Sequence, residues 1–127
     1  MQFQIVLPAL TSGFFAVNVL NINNLRDINS DKAAGKKTIP VRYGLAFGIK
    51  YHQVLIVVGI VLALIFSTIG NFSFYKLLPI LSFPFLFKIL TGISIQDSPQ
   101  TVDTFLKKMA LTSLLFTLLF GLGQLLV

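Results

Sequence analysis

The chain has 127 residues, of which 55% are hydrophobic and 11% are charged, and its formal net charge at pH 7 is +6. Soluble domains carry about 25% charged residues, so the composition excludes an ordinary soluble domain and indicates an integral membrane protein. The absence of cysteine excludes thiol catalysis and a disulfide framework. The absence of glutamate excludes a glutamate acid or base within this chain.

Four apolar segments predict an all-α transmembrane fold, because a membrane-spanning helix needs about 20 predominantly apolar residues. The predicted spans cover about residues 3–25, 51–70, 74–90 and 106–127, and the predicted polar loops cover about 32–50 and 91–105. The first helix is expected to continue to Asp31, residues 70–73 to form a tight turn, and Ser98 to cap a helix that begins at Pro99. The chain is therefore expected to form a single, partial membrane domain.

The distribution of basic residues predicts how these spans are oriented. Four spans place both polar loops on the same side of the membrane. Positively charged residues are enriched in cytoplasmic loops, so both loops are expected to be cytoplasmic and nucleic acid is not expected as a partner. Nine of the ten basic residues lie in or beside the two loops: Arg26, Lys32, Lys36, Lys37, Arg42, Lys50, Lys88, Lys107 and Lys108.

Several polar or small residues in the apolar segments indicate contacts between helices. Asn18 and Asn21 would be penalised in lipid, so they are expected to face protein or a water-filled cavity. Gly44 and Gly48 form a G-x-x-x-G pattern, which favours close helix packing. His52 is interpreted as a side chain at the membrane interface rather than as a ligand or base.

The polar segment after the first span contains the candidate site. Asp27 and Asp31 are four residues apart, so on a helix they share one face, which Asn24 and Asn21 extend. Mg²⁺ is typically bound by one or two carboxylates together with substrate phosphates, and lysine binds phosphate as a point charge. The carboxylates and the lysines that follow them therefore predict a diphosphate site. These lysines are Lys32, Lys36 and Lys37.

The segment allows two other interpretations. Residues 27–31 resemble the start of a calcium-binding EF-hand loop, but Lys32 stands where the turn glycine belongs and Thr38 where a bidentate glutamate belongs. The EF-hand interpretation therefore fails. A solvated salt-bridge network of Asp27 with Arg26, Lys32 or Lys36 remains open.

The pattern N-N-x-R-D-x-x-x-D at residues 23–31, followed by G-K-K-T at residues 35–38, resembles the second aspartate-rich motif of the UbiA superfamily of intramembrane prenyltransferases. Within the superfamily, the pattern most resembles the 1,4-dihydroxy-2-naphthoate polyprenyltransferase branch, which belongs to menaquinone biosynthesis. The resemblance implies a bundle of nine transmembrane helices around a central cavity. The motif covers about twenty residues, and the other spans match the family only in hydropathy.

The resemblance also implies roles for individual residues. Asp27 and Asp31 would be catalytic ligands of Mg²⁺, which holds the diphosphate of a polyprenyl diphosphate donor. The aromatic acceptor would be 1,4-dihydroxy-2-naphthoate, whose ring loses its carboxylate on prenylation. The residues implied to contact the diphosphate or to support the site are Asn24, Arg26, Lys32, Lys36 and Lys37.

The first aspartate-rich motif of the family has no counterpart in this chain. The four spans fit the last four of the nine helices, so the N-terminal helices are expected to be a required partner and this chain alone is expected to be inactive. Two alternatives remain open. One is another UbiA-type prenyltransferase with a different aromatic or lipid acceptor, and the other is a non-catalytic four-span membrane subunit or remnant.

Overall fold

All regular structure in the described part of the chain is helical. The computed structural model describes residues 5–70 and 73–126. Its elements are α1 (Val6–Arg26), α2 (Ile28–Ala33), α3 (Ile39–Tyr43), α4 (Leu45–Thr68), a 3₁₀ segment (Phe74–Ser82), α5 (Phe83–Gly92) and α6 (Pro99–Leu125). Four stretches are long and apolar enough to cross a membrane: Val6–Arg26, Leu45–Thr68, Phe74–Gly92 and Pro99–Leu125. The predicted all-α transmembrane class is therefore confirmed.

Two of the long helices begin closer to the centre of the polar loops than the hydropathy pattern indicates. Helix α4 begins at Leu45, within the predicted loop 32–50, because Gly44 adopts a φ of +90° that lets the chain reverse after α3. Helix α6 begins at Pro99, and the Ser98 hydroxyl accepts a hydrogen bond from the Thr101 backbone N–H (3.2 Å). This contact confirms the predicted N-cap.

Parts of three predicted features lie outside the described residues. These parts are the start of the first span at residues 3 and 4, the centre of the turn at residues 71 and 72, and the end of the last span at residue 127.

The third span consists of two parts with different helical geometry. Pro79 lies in the 3₁₀ part, where its missing N–H removes a bond that an α-helix would need. Pro84 lies in the first turn of α5, where no intrahelical N–H bond is required. The Ser82 hydroxyl donates a hydrogen bond to the Pro79 carbonyl oxygen (2.7 Å) at the junction. The two prolines therefore divide the span without leaving that carbonyl unpaired.

Helix α1 lies at the centre of the bundle and packs against α4 and α6. Phe15 of α1 and Phe116 of α6 are each 1% exposed, and their rings meet edge to face with centroids 5.1 Å apart. Gly59 of α4 leaves room for the same ring, since a Cβ at Gly59 would lie 2.5 Å from Phe15 Cε1. One aromatic side chain therefore sets the approach of α1 to both neighbouring helices.

A buried polar cluster joins three of the spans. Asn18 and His52 are completely buried. His52 Nδ1 lies 2.8 Å from Asn18 Oδ1, and His52 Nε2 lies 3.1 Å from the Ile89 carbonyl oxygen. The expectation that Asn18 faces protein is confirmed. The interpretation of His52 as an interfacial side chain is wrong, because its ring lies inside the bundle and bonds to α1 and α5.

Gly48 allows close contact between α1 and α4 near the polar loops. Asn21 is 3% exposed, and its Nδ2 donates a hydrogen bond to the Gly48 carbonyl oxygen (2.9 Å). A Cβ at Gly48 would lie 2.8 Å from Leu25 Cδ2 and 3.0 Å from Pro40 Cγ. Gly48 therefore has the packing role that the G-x-x-x-G pattern indicated. Gly44 has nothing within 4 Å of an added Cβ and serves the chain reversal instead.

Candidate functional site

The aspartate-rich segment begins where α1 ends. Asp27 has backbone angles of φ −98° and ψ 13°, which interrupt the helix between α1 and α2. The Asp31 N–H still donates to the Asp27 carbonyl oxygen (2.8 Å), so the chain continues as helix α2. The predicted continuation of helix to Asp31 is therefore present, with an interruption at Asp27 that the sequence pattern did not indicate.

Arg26 is the centre of an ion-pair network that joins α1 to α6. Its Nε and Nη2 donate to the two carboxylate oxygens of Asp27, each at 2.8 Å. Its Nη1 donates to Asp103 Oδ1 at 2.7 Å, and Nη2 also donates to Asn23 Oδ1 at 2.8 Å. Lys107 Nζ lies 2.9 Å from Asp103 Oδ2. The planar guanidinium thus holds the Asp27 carboxylate in a bidentate contact.

Asp103 is the member of this network that sequence analysis missed. It lies in the first turns of α6, 77 residues from Arg26. The contact between Asp103 and Arg26 could have been suggested by the prediction that both polar loops lie on the same side of the membrane. That arrangement brings an aspartate at the start of the last span within reach of an arginine at the end of the first.

Asp31 is buried and paired with Lys36. The Asp31 side chain is 6% exposed, the Lys36 side chain is 63% exposed, and Lys36 Nζ lies 2.7 Å from Asp31 Oδ1. The turn folds back because Gly35 adopts a φ of +72°, and the Lys36 N–H donates to the Asp31 carbonyl oxygen (2.9 Å). A buried carboxylate therefore has an exposed lysine as its counter-charge.

Lys36 links the two predicted ligands electrostatically. The hydrogen bonds from Arg26 lower the pKa of Asp27, and the charges of Arg26 and Lys36 act in the same direction. The hydrogen bond with Asp31 raises the pKa of Lys36, and the charge of Asp27 adds to this effect. Asp27 and Lys36 are therefore both ionised at neutral pH.

Cations outnumber carboxylates around this segment. Lys32 and Lys37 are exposed, whereas Asn24 is half-buried. Arg42 is also exposed, and its guanidinium lies 5.9 Å from the centre of the Tyr43 ring. An excess of positive charge concentrates anions near the surface. The cations are Arg26, Lys32, Lys36, Lys37, Arg42 and Lys107, against the carboxylates of Asp27, Asp31 and Asp103.

The donor atoms of the site suit a hard cation that is also bound by phosphate. Residues 5–70 and 73–126 contain no group of three or more His, Cys, Asp or Glu side chains that could hold a metal ion by themselves. Within the same residues, Asn21 Oδ1 and Thr38 Oγ1 are buried without a hydrogen-bond partner, which is uncommon in folded proteins. Carboxylate and amide oxygens fit Mg²⁺, which usually takes its remaining ligands from substrate phosphates or water.

A cavity of about 320 Å³ lies beside Arg26, between the α1–α2 corner and the loop that precedes α6. Asn29 and Ser94 are among its polar lining residues, and Leu25 and Val102 form apolar parts of its wall. The cavity therefore lies next to the ion-pair network, on the side where α1 approaches α6.

The chain is similar to known prenyltransferases along most of its length. The UbiA prenyltransferase family matches residues 2–114. The chain is 40% identical over 121 residues to the 1,4-dihydroxy-2-naphthoate octaprenyltransferase of Haemophilus influenzae. It is 37% identical over 119 residues to the Escherichia coli protein of the same name. These alignments cover 95% and 94% of this chain.

The chain spans about two fifths of the length of these relatives, since the alignments cover 39% of each of them. The matched region is the C-terminal part of each relative. No solved structure matches the chain significantly.

Proposed function

Because this chain belongs to the UbiA prenyltransferase family, we propose that it supplies the second aspartate-rich half of a Mg²⁺–diphosphate site. The reaction proposed for the complete site is transfer of a polyprenyl chain from polyprenyl diphosphate to 1,4-dihydroxy-2-naphthoate, a step of menaquinone biosynthesis. The observation that carries the proposal is the 40% identity to a naphthoate octaprenyltransferase across 95% of this chain.

Asp27 and Asp31 are the proposed ligands of the metal. UbiA prenyltransferases generally use a divalent metal ion, and Mg²⁺ agrees with a donor set of two carboxylates and a diphosphate. When bound, Mg²⁺ would neutralise charge that develops on the leaving diphosphate. Asn24 is half-buried one turn before Asp27 and is proposed to support the site as a polar neighbour.

The ion pair at Asp31 gives Lys36 a specific part in diphosphate binding. Lys36 Nζ lies 2.7 Å from Asp31 Oδ1, yet its side chain is 63% exposed. A flexible, exposed ammonium group can leave the carboxylate and bind a phosphate oxygen at little cost. When the diphosphate binds, we therefore expect the Lys36 ammonium group to move from Asp31 to a phosphate oxygen. The Asp31 carboxylate is then free to bind the metal. Lys32 and Lys37, both exposed on the same turn, are proposed to add further phosphate contacts.

Arg26 is proposed to assist from the other side of Asp27. Its guanidinium already contacts two carboxylates and an amide oxygen, so it has few donors left for phosphate. Its proposed contribution is positive charge near the diphosphate together with a fixed orientation of the Asp27 carboxylate. Preorganised cations of this kind stabilise a leaving anion more strongly than flexible ones do, because they need not reorganise during the reaction.

The remaining parts of the active site are proposed to come from outside this chain. In the proposed reaction, ionisation of the donor yields an allylic cation that the aromatic ring attacks. A site for that ring and a second aspartate-rich motif would be supplied by the family's N-terminal helices. The aspartate-rich segment is proposed to face the cytoplasm, because most basic residues flank the loops on its side.

A chimeric enzyme tests this proposal. This chain would replace the matched C-terminal part of the Escherichia coli relative, and octaprenyl transfer to 1,4-dihydroxy-2-naphthoate would be measured in membranes of cells that lack their own enzyme. We expect the chimera to be active with Mg²⁺, and Asp27→Asn or Asp31→Asn to reduce transfer by about 100-fold or more.

Asp97→Asn is the matched control. Asp97 Oδ2 accepts a hydrogen bond from the Ser94 N–H (2.6 Å) outside the motif, and an asparagine oxygen can accept the same bond. The proposal is contradicted if the chimera is inserted at a normal level without activity, or if the two motif variants remain as active as Asp97→Asn.

A further inference from the structure

A second cavity lies between α5 and α6, away from the aspartate-rich segment. Its volume is about 640 Å³, within the range of about 300–1,000 Å³ typical of ligand pockets. Ile89 and Thr112 are buried at its floor, and Phe85 and Leu111 are exposed at its rim. We call this cavity the α5–α6 groove.

Two lysines line the groove, and neither is paired with a carboxylate of the described residues. Lys88 of α5 and Lys108 of α6 both line it, and neither forms an ion pair with a carboxylate within residues 5–70 and 73–126. Lys108 Nζ lies 5.0 Å from the centre of the Phe105 ring, over which it is held. The preceding residue, Lys107, is instead neutralised by Asp103. The groove therefore presents two cations without a carboxylate counter-charge from the described residues.

The length of α6 places these lysines near the membrane surface. Helix α6 has 27 residues, which corresponds to about 40 Å, whereas the hydrocarbon core is about 30 Å thick. The charged residues of α6, which are Asp103, Lys107 and Lys108, lie in its N-terminal part, so the excess length projects on that side. Lys108 then lies at the boundary between hydrocarbon and headgroups. Lys88, four residues before the end of α5 at Gly92, lies on the same side.

Deeper in the membrane the lining of the groove is apolar apart from Thr112. Leu111 and Leu115 follow Lys108 along α6, and Phe85 precedes Lys88 on α5, so all three extend away from the polar loops. The groove thus combines two cations at headgroup level with an apolar surface that runs toward the membrane centre. Basic pockets between transmembrane helices on the cytoplasmic side are typical sites for acidic lipid headgroups.

We propose that the α5–α6 groove binds an anionic phospholipid of the surrounding bilayer, with its phosphate between Lys88 and Lys108 and an acyl chain along Phe85, Leu111 and Leu115. This site is separate from the proposed diphosphate site, and its occupation does not depend on prenyl transfer. The bound lipid neutralises two cations that have no carboxylate partner in residues 5–70 and 73–126, and it fills the gap between α5 and α6.

Native mass spectrometry of the purified chain in detergent tests the proposal. Phosphatidylglycerol and phosphatidylcholine with identical acyl chains would be titrated separately. We expect phosphatidylglycerol to bind more tightly, and Lys88→Gln or Lys108→Gln each to weaken its binding about fivefold, since one lysine near an anionic surface is worth about that factor. Lys50→Gln is the matched control, because Lys50 is exposed near the start of α4 and does not line the groove.

Three results would overturn the proposal. The first is equal binding of the two lipids to the unmodified chain. The second is an equal loss of phosphatidylglycerol binding in Lys50→Gln and the two groove variants, or no loss in any of them. The third is displacement of phosphatidylglycerol by an equimolar amount of geranylgeranyl diphosphate, which would assign the groove to the prenyl donor. Loss of prenyl transfer in the chimera would leave each of these readouts unchanged.

Discussion

Two aspartates with similar sequence surroundings have different ionic partners. The Asp27 carboxylate accepts two hydrogen bonds from the guanidinium of Arg26. The same guanidinium is also paired with Asp103. Asp31 is more deeply buried but is held by a single exposed ammonium group. Because Arg forms a planar, bidentate contact and Lys forms a flexible point contact, the Asp27 carboxylate is the more rigid of the two. The Asp31 carboxylate has the more flexible partner.

The stability of the chain should depend on pH at both extremes. The folded-state pKa of Asp27 is lowered, so its contribution is present above about pH 4 and is lost as the pH falls through the folded pKa. The folded-state pKa of Lys36 is raised, so its contribution is present below about pH 10 and is lost as the pH rises further. Thermal unfolding in detergent, followed by circular dichroism, measures both losses.

Two variants separate the loss of stability at low pH from the loss at high pH. Asp27→Asn should unfold with a smaller dependence on pH below about pH 4, and Lys36→Gln with a smaller dependence above about pH 10. If each variant kept the pH profile of the unmodified chain, the ion pairs at Arg26 and Asp31 would not contribute to folding.

Replacement of Arg26 by lysine should weaken the connection between α1 and α6. A lysine cannot reproduce the simultaneous contacts of Arg26 with Asp27, Asp103 and Asn23. The side chain of Arg26 is 28% exposed, so we expect a loss of about 1 kcal/mol in the free energy of unfolding. Equilibrium denaturation in mixed detergent micelles measures it. Arg42→Lys, an exposed site with no carboxylate partner in the described residues, should change the value by less than about 0.5 kcal/mol.

At the scale of helices, close approaches depend on glycines that face a neighbouring element. Gly59 receives the Phe15 ring of α1, and Gly92 of α5 faces the Phe105 ring of α6. Gly123 of α6 faces the backbone carbonyl of Tyr75 in the 3₁₀ segment. Small residues of this kind let transmembrane helices approach closely, since burial in lipid gives no hydrophobic driving force between them. The contact at Gly123 is the most restrictive, because backbone atoms cannot move aside as a side chain can.

Gly123→Ala should therefore destabilise the packing of α6 against the 3₁₀ segment. The added methyl group would collide with the Tyr75 carbonyl oxygen, and overpacking of this kind costs about 1–3 kcal/mol. Gly121→Ala, two residues earlier in the same helix, has nothing within 4 Å of its added methyl group and should be neutral or stabilising by up to about 1 kcal/mol. Unfolding midpoints in detergent compare the two variants, and equal midpoints would contradict the assigned contact.

At the scale of the whole molecule, the ion pairs of the candidate site lie at one end of the bundle. Helix α1 packs between α4 and α6, so its C-terminal end lies beside the start of both. The ion-pair network, the buried Asp31 and the cavity beside Arg26 all lie at that end. The opposite end includes Lys76, which donates a hydrogen bond to the Ile69 carbonyl oxygen (2.8 Å).

Single-cysteine labelling should place the two ends of the bundle on opposite sides of the membrane. The chain has no native cysteine, so each introduced thiol is unique. Ala34→Cys and Ile95→Cys, at exposed sites in the two polar loops, should react with an impermeant maleimide only in inside-out vesicles. Thr68→Cys, exposed at the end of α4, should react only in right-side-out vesicles. Labelling of Ala34→Cys and Ile95→Cys from different sides would contradict the predicted orientation.

The sequence by itself determined the class of fold, the number of spans and the family. Those properties depend on hydropathy over about 20 residues and on a motif contained in residues 23–38, which are local along the chain. The cap at Ser98 and the helical continuation to Asp31 are equally local and were predicted correctly. The start of α4 was not, because the helix begins directly after Gly44, whose positive φ supplies the turn, and not where the long apolar run begins.

Only the tertiary structure decided which partners the polar side chains have. His52 is buried because Asn18 and the Ile89 carbonyl oxygen, 34 and 37 residues away, face its ring. Asp103 reaches Arg26 because α6 packs along α1, and the α5–α6 groove exists because two spans leave a gap lined by lysines. Such contacts follow from how helices cross in space. A linear pattern of residue types does not encode them, because hydropathy shows which segments can span the membrane without showing which residues meet.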